Sequence, residues 1–205
     1  MNRKTVIAAA LAASLSLPGS IAGPAPADAQ RPAARTQRAI FAGGCFWSTE
    51  RDLEAIPGVV SAVSGFTGGH VANPTYQMTV TSETGHLEAV VVAFDPARIS
   101  YAQLARRFLR TIDPTDGGGQ FCDRGANYRT AIFAIGPAQR GEAEAAVAEA
   151  NRQLRGRVVT PVRTAARFYA AEAEHQDYAA RNPGRYAAYR RGCGKDARLR
   201  AVWGG

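Results

Sequence analysis

Lysine is nearly absent: Lys4 and Lys195 are the only two in 205 residues, so the basic character of the chain rests on arginine. The net charge is +8, but the arginines are scattered, often beside acidic or alanine-rich segments, without regular aromatic interleaving. That speaks against a nucleic-acid partner, because a single-strand platform needs stacking faces along a basic groove. Cysteine is scarce as well. Cys45, Cys122 and Cys193 stand far apart, with no CxxC pair, so neither a metal nor another cofactor is expected. The odd count leaves two arrangements open: two cysteines pair and one stays free, or all three exchange. There is no internal repeat, and no apolar run is long enough to span a bilayer as a lasting anchor.

What is there begins with Asn2-Arg3-Lys4, an apolar run from Thr5 to Leu17, a Pro18-Gly19 break and Ala27-Asp28-Ala29 before Gln30. A basic start, an apolar centre and an A-x-A site read as a secretory signal peptide over 1–29. The protein is therefore expected to be exported, to a bacterial periplasm, with no stable membrane association after cleavage. Residues 30–37 read as a linker, 38–181 as one globular domain and 182–205 as a glycine- and arginine-rich tail extended over the surface. Within the domain, strands are expected at 38–42, 59–66, 87–94, 130–135 and 158–163. Helices are expected at 46–56, 100–112, 137–154 and 172–180. Some strand pairs lack an intervening helix, which favours an α+β fold, a two-layer α/β sandwich related to the ferredoxin-like type, over a doubly wound sheet. The loop 113–127 is long and rich in glycine, and ordered loops of that length in compact domains are often functional. A monomer is expected.

The chemistry centres on Ala39-Ile40-Phe41-Ala42-Gly43-Gly44-Cys45-Phe46-Trp47. An apolar strand runs into two glycines, and Cys45 opens a helix. A thiol there meets backbone N–H groups that have no partner within the helix, which favours the reactive thiolate. The glycines leave room for a substrate, and Phe46 and Trp47 add aromatic faces. An inert buried cysteine is the plainer alternative.

Four further segments join this one in order: Gly68-Gly69…Asn73-Pro74-Thr75-Tyr76, Thr84-Gly85-His86-Leu87-Glu88, Asp123-Arg124-Gly125…Tyr128-Arg129-Thr130, and Phe168-Tyr169…Glu172…His175-Gln176-Asp177-Tyr178. With Gly43-Gly44-Cys45-Phe46-Trp47, the set resembles the A-type peptide methionine sulfoxide reductases over about residues 38–180. The resemblance implies reduction of the S epimer of methionine sulfoxide in oxidised proteins, peptides and the free amino acid. Cys45 would attack the sulfoxide sulfur and become a sulfenic acid. Glu88 would be the general acid, provided burial keeps it protonated. Tyr76 and Tyr128 would bond the sulfoxide oxygen, Asp123 would order the site, and Phe46 and Trp47 would hold the methyl group. A thioredoxin-like protein is the implied reductant. Cys193, in Tyr189-Arg190-Arg191-Gly192-Cys193-Gly194, departs from the usual setting of a resolving cysteine but is the leading candidate for that role. Cys122, where the family more often carries asparagine, is the second.

Each residue has an ordinary reading beside this one. Glu88 could face solvent from its strand. Tyr76, Tyr128, Phe168 and Tyr169 could be core or edge aromatics, and Asp123-Arg124 a turn with a local ion pair. His175 is expected to pack within its helix, and His70 and His86 are weak ligand candidates. A thiol peroxidase using Cys45, or a basic binding module with a structural thiol, would be the competing functions.

Overall fold

The computed structural model describes residues 36–81 and 83–204. The expected signal peptide and the linker up to Arg35 lie outside the described residues. Strand β1 (Gln37–Gly43) leads to helix α1 (Phe46–Glu54), β2 (Val59–Thr67), a short α2 (Tyr76–Val80), β3 (Leu87–Phe94) and α3 (Tyr101–Leu109). The small hairpin β4 (Gly119–Gln120) and β5 (Asp123–Arg124) precedes β6 (Thr130–Ala134), α4 (Gly136–Gln153), β7 (Val162–Thr164) and β8 (Tyr169–Ala170). Helices α5 (Tyr178–Arg181), α6 (Pro183–Gly192) and α7 (Lys195–Trp203) complete the chain. No helix among the described residues is long and apolar enough to cross a membrane.

Six strands form one mixed sheet in the order β7-β6-β1-β3-β2-β8. All neighbours are antiparallel except β6 and β7. Alternation along the central strands builds both faces. Ala39, Phe41, Val90, Val92 and Phe94 point to one core, filled by Leu53 of α1, Leu104 and Phe108 of α3, and Ala143, Ala146 and Ala150 of α4. Ile40, Ala42, Leu87, Ala89 and Val91 point to the other, covered by Val63, Ala165 and Phe168. Helices thus lie on one face and an irregular segment on the other, the expected α+β sandwich. Glu88 shares its parity with Val90 and Val92, so the alternation sends it under the helices, not into water.

Local signals set the helix starts. Ser100 accepts from the Gln103 N–H while the Gln103 side chain accepts from the Ser100 N–H, a reciprocal cap on α3. Thr75 caps α2 through the Met78 N–H. This helix has a single buried residue and no apolar run to announce it.

Several expectations need correction. The tail is two helices, not an extended strap. Tyr186 and Lys195 are buried, and the Trp203 indole donates to the Ile112 carbonyl at 3.1 Å while the Arg110 guanidinium lies 4.2 Å over its ring. The strand expected at 158–163 shrinks to Val162–Thr164: Val158 bonds the Asn151 side chain, Val159 is exposed and bonds the Pro114 carbonyl, and Pro161 has no N–H. The helix expected at 172–180 is a 3₁₀ turn at Ala173–His175 followed by α5. It is interrupted at Asp177, whose φ of 52° is left-handed. Gln176 stands at the break and pairs with β2 through its side chain, accepting from the Ser64 N–H and donating to the Ser64 and Ala171 carbonyls.

Candidate active site

Cys45 is the residue before α1, at the open end of β1, and its thiol is buried. Its carbonyl accepts from the N–H groups of Ser48 and Thr49 and so starts the helix. Gly44 makes the turn possible with a φ of 84°, and a Cβ there would lie 2.5 Å from Cβ of Gln120. At Gly43 a Cβ would meet the Thr49 hydroxyl at 2.8 Å. These glycines therefore serve the turn and its packing; the space beside them is filled by protein, not left for a substrate.

Glu88, 1% exposed, reaches from β3 to the start of α1, where Oε2 accepts from the Phe46 N–H at 2.9 Å. The carboxyl thus caps a helix that has no side-chain cap of its own. Burial first, and then the charge of Asp123, push its pKa up to about 8 against the lowering effect of the Phe46 N–H. At neutral pH it is mostly a carboxylic acid, which suits a proton donor. The solvent-facing reading is wrong, because the sheet is covered on both faces.

Cys45 does not behave as its helix position alone suggests. Burial raises its pKa, the Glu88 charge raises it further, and hydrogen bonds from Tyr189 and the Trp47 N–H oppose this without overcoming it. The resting group is a thiol. Desolvation outweighs the helix terminus here, which corrects the expected bias toward thiolate.

Tyr76 and Tyr128 converge on the same place. Burial raises the pKa of both, and the charges of Glu88 and Cys45 raise them further. Tyr76 is fixed through its backbone N–H, which donates to Glu172 Oε1 at 2.9 Å. Asp123 joins them through Tyr189, whose hydroxyl donates to Asp123 Oδ2 at 2.5 Å. Arg124 pairs with Asp116, not with its neighbour Asp123, so the expected local ion pair is absent and Asp123 is left to the site. All five residues expected to carry the chemistry thus come together: Cys45, Glu88, Tyr76, Tyr128 and Asp123.

The aromatic wall is larger than Phe46 and Trp47. Phe46 packs inward, with its ring 5.7 Å from Phe66 and 6.1 Å from Tyr76. Trp47 is half-buried, lies flat on Tyr178 at 3.7 Å and donates from its indole to His175 Nδ1 at 3.2 Å. The His175 ring lies 4.3 Å from that of Tyr76 and 5.3 Å from that of Phe46. His175 therefore belongs to the site and does not merely pack within a helix. The segment that carries it is anchored by Glu50, which accepts from the N–H groups of Ser64 and Asp177. Burial pushes Glu50 up to about 7. Its only sequence signal was a helical turn's distance from Phe46 and Trp47. His86 is structural: its Nδ1 accepts from the Gly69 N–H and its Nε2 bonds the Val71 carbonyl.

The other two cysteines are bonded to each other: Cys122 and Cys193, 71 residues apart, form a disulfide, and Cys45 stays free. Of the two arrangements that the odd count left open, this is the first. Ligand atoms of Cys122, Asp123 and Cys193 lie within 4.8 Å of one another, but with both sulfurs in the disulfide only the Asp123 carboxylate could serve a cation. Lys195, 2% exposed, stands beside this group with its ammonium 5.0 Å from the Phe121 ring and 2.8 Å from Asp52.

A buried thiol beside a protonated carboxyl, two phenols and an aromatic wall can reduce a polarised S=O bond: sulfur attacks and the acid protonates the departing oxygen. Comparison with known proteins agrees. The family profile described as peptide methionine sulfoxide reductase matches residues 37–205. Peptide methionine sulfoxide reductase MsrA 2 of Caulobacter vibrioides is 55% identical over 175 residues, covering 84% of this chain and 88% of that protein. The Rhizobium meliloti protein of the same name is 51% identical over 172 residues, covering 84% and 86%. Among solved structures, methionine sulfoxide reductase A of Corynebacterium diphtheriae superposes with a TM-score of 0.68 at 36% identity, covering 72% of this chain and 76% of that one. The chain belongs to the peptide methionine sulfoxide reductase family, A type, and its reaction is the reduction of methionine sulfoxide to methionine.

Proposed function

We propose that the protein reduces the S epimer of methionine sulfoxide in oxidised proteins and peptides through a three-cysteine relay. The observation that carries this reading is the free Cys45 thiol beside Glu88 while Cys122 and Cys193 are already paired. In the first step, sulfur of Cys45 attacks the sulfoxide sulfur and Glu88 gives its proton to the oxygen. The hydroxyl then passes to the Cys45 sulfur as the new S–S bond breaks, so methionine leaves and Cys45 is a sulfenic acid. Tyr76 and Tyr128 hold the oxygen, while Trp47, Phe46 and His175 enclose the methyl group. Cys193 then attacks the Cys45 sulfur and expels the oxygen as water. Cys122 attacks Cys193, the new disulfide forms, and Cys45 leaves as a thiol. The pair ends on the surface side of the site, with Cys122 exposed, where a thioredoxin-like reductant can reach it.

The order of the relay is tested by mass spectrometry after one turnover with a methionine sulfoxide peptide. Cys122→Ser should release one methionine and accumulate a Cys45–Cys193 disulfide. In Cys193→Ser the sulfenic acid should persist. A rapid Cys45–Cys122 disulfide in Cys193→Ser would reverse the order of the two resolving cysteines, and failure of the wild type to prefer the S epimer would remove the epimer assignment.

Export is part of the same proposal and is supported by the basic start, apolar centre and Ala27-Asp28-Ala29 site. N-terminal sequencing of the protein from a periplasmic fraction should begin at Gln30; a cytoplasmic protein beginning at Met1 would refute it.

A further inference from the structure

We propose that the cavity walled by Arg129 and Arg163 is a subsite for the substrate: it takes an acidic side chain of the oxidised protein, a few residues from its methionine sulfoxide. The inference rests on the sulfoxide-reductase reading above and adds to it a preference among substrates.

The cavity has a volume of about 210 Å³ and lies beside the reacting group. Tyr128, Arg129 and Thr130 run consecutively. The first belongs to the active site, and the next two line the cavity. Thr130 opens β6, where its register partner on β1 is Gly43, two residues before Cys45. Paired Cα atoms of antiparallel strands lie about 5 Å apart, and two residues of chain span at most about 7 Å. The Cα atoms of Thr130 and Cys45 are therefore within about 12 Å of each other, which an extended peptide covers in about four residues. Arg163 lies on the neighbouring strand β7. Its guanidinium stands at the turn that leads to Tyr76, where a Cβ on Gly68 would lie 3.9 Å from Nη1.

The wall of the cavity selects the ligand. Arg129 and Arg163 are exposed, and neither side chain has an ion pair or hydrogen bond among the described residues. The acid in the wall, Asp116, is already taken: Arg124 holds it with two nitrogens, and the Gly118 N–H donates to it at 2.9 Å. The Thr130 hydroxyl is spent on that of Thr160 at 2.8 Å. Two uncommitted guanidinia thus set the sign of the cavity, and their planar forks match a carboxylate. Val159 and Pro161 add an apolar side on which the methylenes of a glutamate can rest. A lysine of the substrate would be repelled. The arginine-lined cleft between α3 and α4 is different, because Arg106 is paired with Glu149, and Arg110 with Gln153 and the Trp203 ring.

The probes are short peptides, amidated at the C-terminus, each with one S-epimer methionine sulfoxide. Glutamate, glutamine or lysine is placed in turn at about two, three and four residues on either side of it. Steady-state methionine release, with dithiothreitol as reductant, gives kcat and KM for each. At one of these positions glutamate should raise kcat/KM over glutamine by at least about fivefold, and lysine should lower it. The gain should come through KM, since a contact away from the reacting atoms holds ground state and transition state alike. It should shrink as salt rises from about 20 mM to about 500 mM. Arg129→Ala and Arg163→Ala should each bring the glutamate-to-glutamine ratio toward one, and Arg163→Glu should turn the preference to lysine. Each ratio is taken within one variant, so a general loss of activity cancels. Ratios within about twofold at every position, or a preference that survives in both alanine variants, overturn the proposal. A gain from a free C-terminal carboxylate on the glutamine peptide, with none from glutamate, overturns the side-chain assignment. The same ratio is also read as an affinity on Cys45→Ser, by fluorescence anisotropy of labelled peptides. If the wild type releases no methionine from any peptide, the reductase reading fails instead, and the affinity ratio still decides what the cavity binds.

Discussion

Replacing Glu88 with glutamine is expected to slow first-turnover methionine release by about 10²- to 10⁴-fold, the usual contribution of a positioned general acid. Glutamine keeps an oxygen for the Phe46 N–H, so α1 and the Cys45 turn should stay in place. What is lost is the proton. The sign of the pH effect follows from the raised pKa of about 8: the acid is present below that value and lost as pH rises through it. The wild-type rate should drop by about tenfold per unit above pH 8, whereas the glutamine variant, slow throughout, should show no such descent. Stopped-quench measurement of methionine over pH 6–10 separates the two. A variant within about fivefold of the wild type would leave protonation of the sulfoxide oxygen to another group, Tyr76 or Tyr128.

The largest effect on stability should come from Asp52, which takes no part in the chemistry. One of its oxygens lies 2.8 Å from the buried Lys195 ammonium, and the other accepts from Arg190 at 2.9 Å. The Lys195 contact is ionic, without an aligned hydrogen bond. Asp52→Ala would leave a buried ammonium with no carboxylate on it, a change that typically costs about 3–5 kcal/mol. The expected fall in melting temperature is on the order of 10 °C. Lys195→Met in the same background should recover much of it, because the methionine can occupy the site without a charge. Thermal melts of the single and double variants test this. A melting temperature for Asp52→Ala within about 2 °C of the wild type would mean that another acid takes over the ammonium.

Much of this could be read from residue order. The apolar runs of β1 and β3 announced buried strands, the glycine pair announced the turn before Cys45, and Pro137 marked the start of α4. Even the burial of Glu88 was available, since it shares its parity with Val90 and Val92, although a glutamate in a strand is more often exposed. The tail was not legible. Its helices carry no apolar stripe: α6 and α7 dock through Tyr186, Arg190, Lys195 and Trp203, which look like surface composition until their partners, on α1 and just past α3, are known. Nor does spacing choose a partner for Cys122. The protonation of Cys45 needed the fold as well. A helix terminus can be inferred from a few neighbouring residues, but two acids arriving from β3 and β5 cannot.

The Cys122–Cys193 bond closes a loop of 71 residues that runs from the β4–β5 hairpin to the end of α6. A crosslink of that span restricts the unfolded chain by about 4 kcal/mol in the loop-entropy account. In the relay proposed above, the crosslink is also a reaction product, formed after each methionine is repaired and broken before the next. Every turnover is therefore a small cycle of mechanical reinforcement and release. When reducing power runs out, the population halts in its braced state: idle, but harder to unfold and to digest than the form that works.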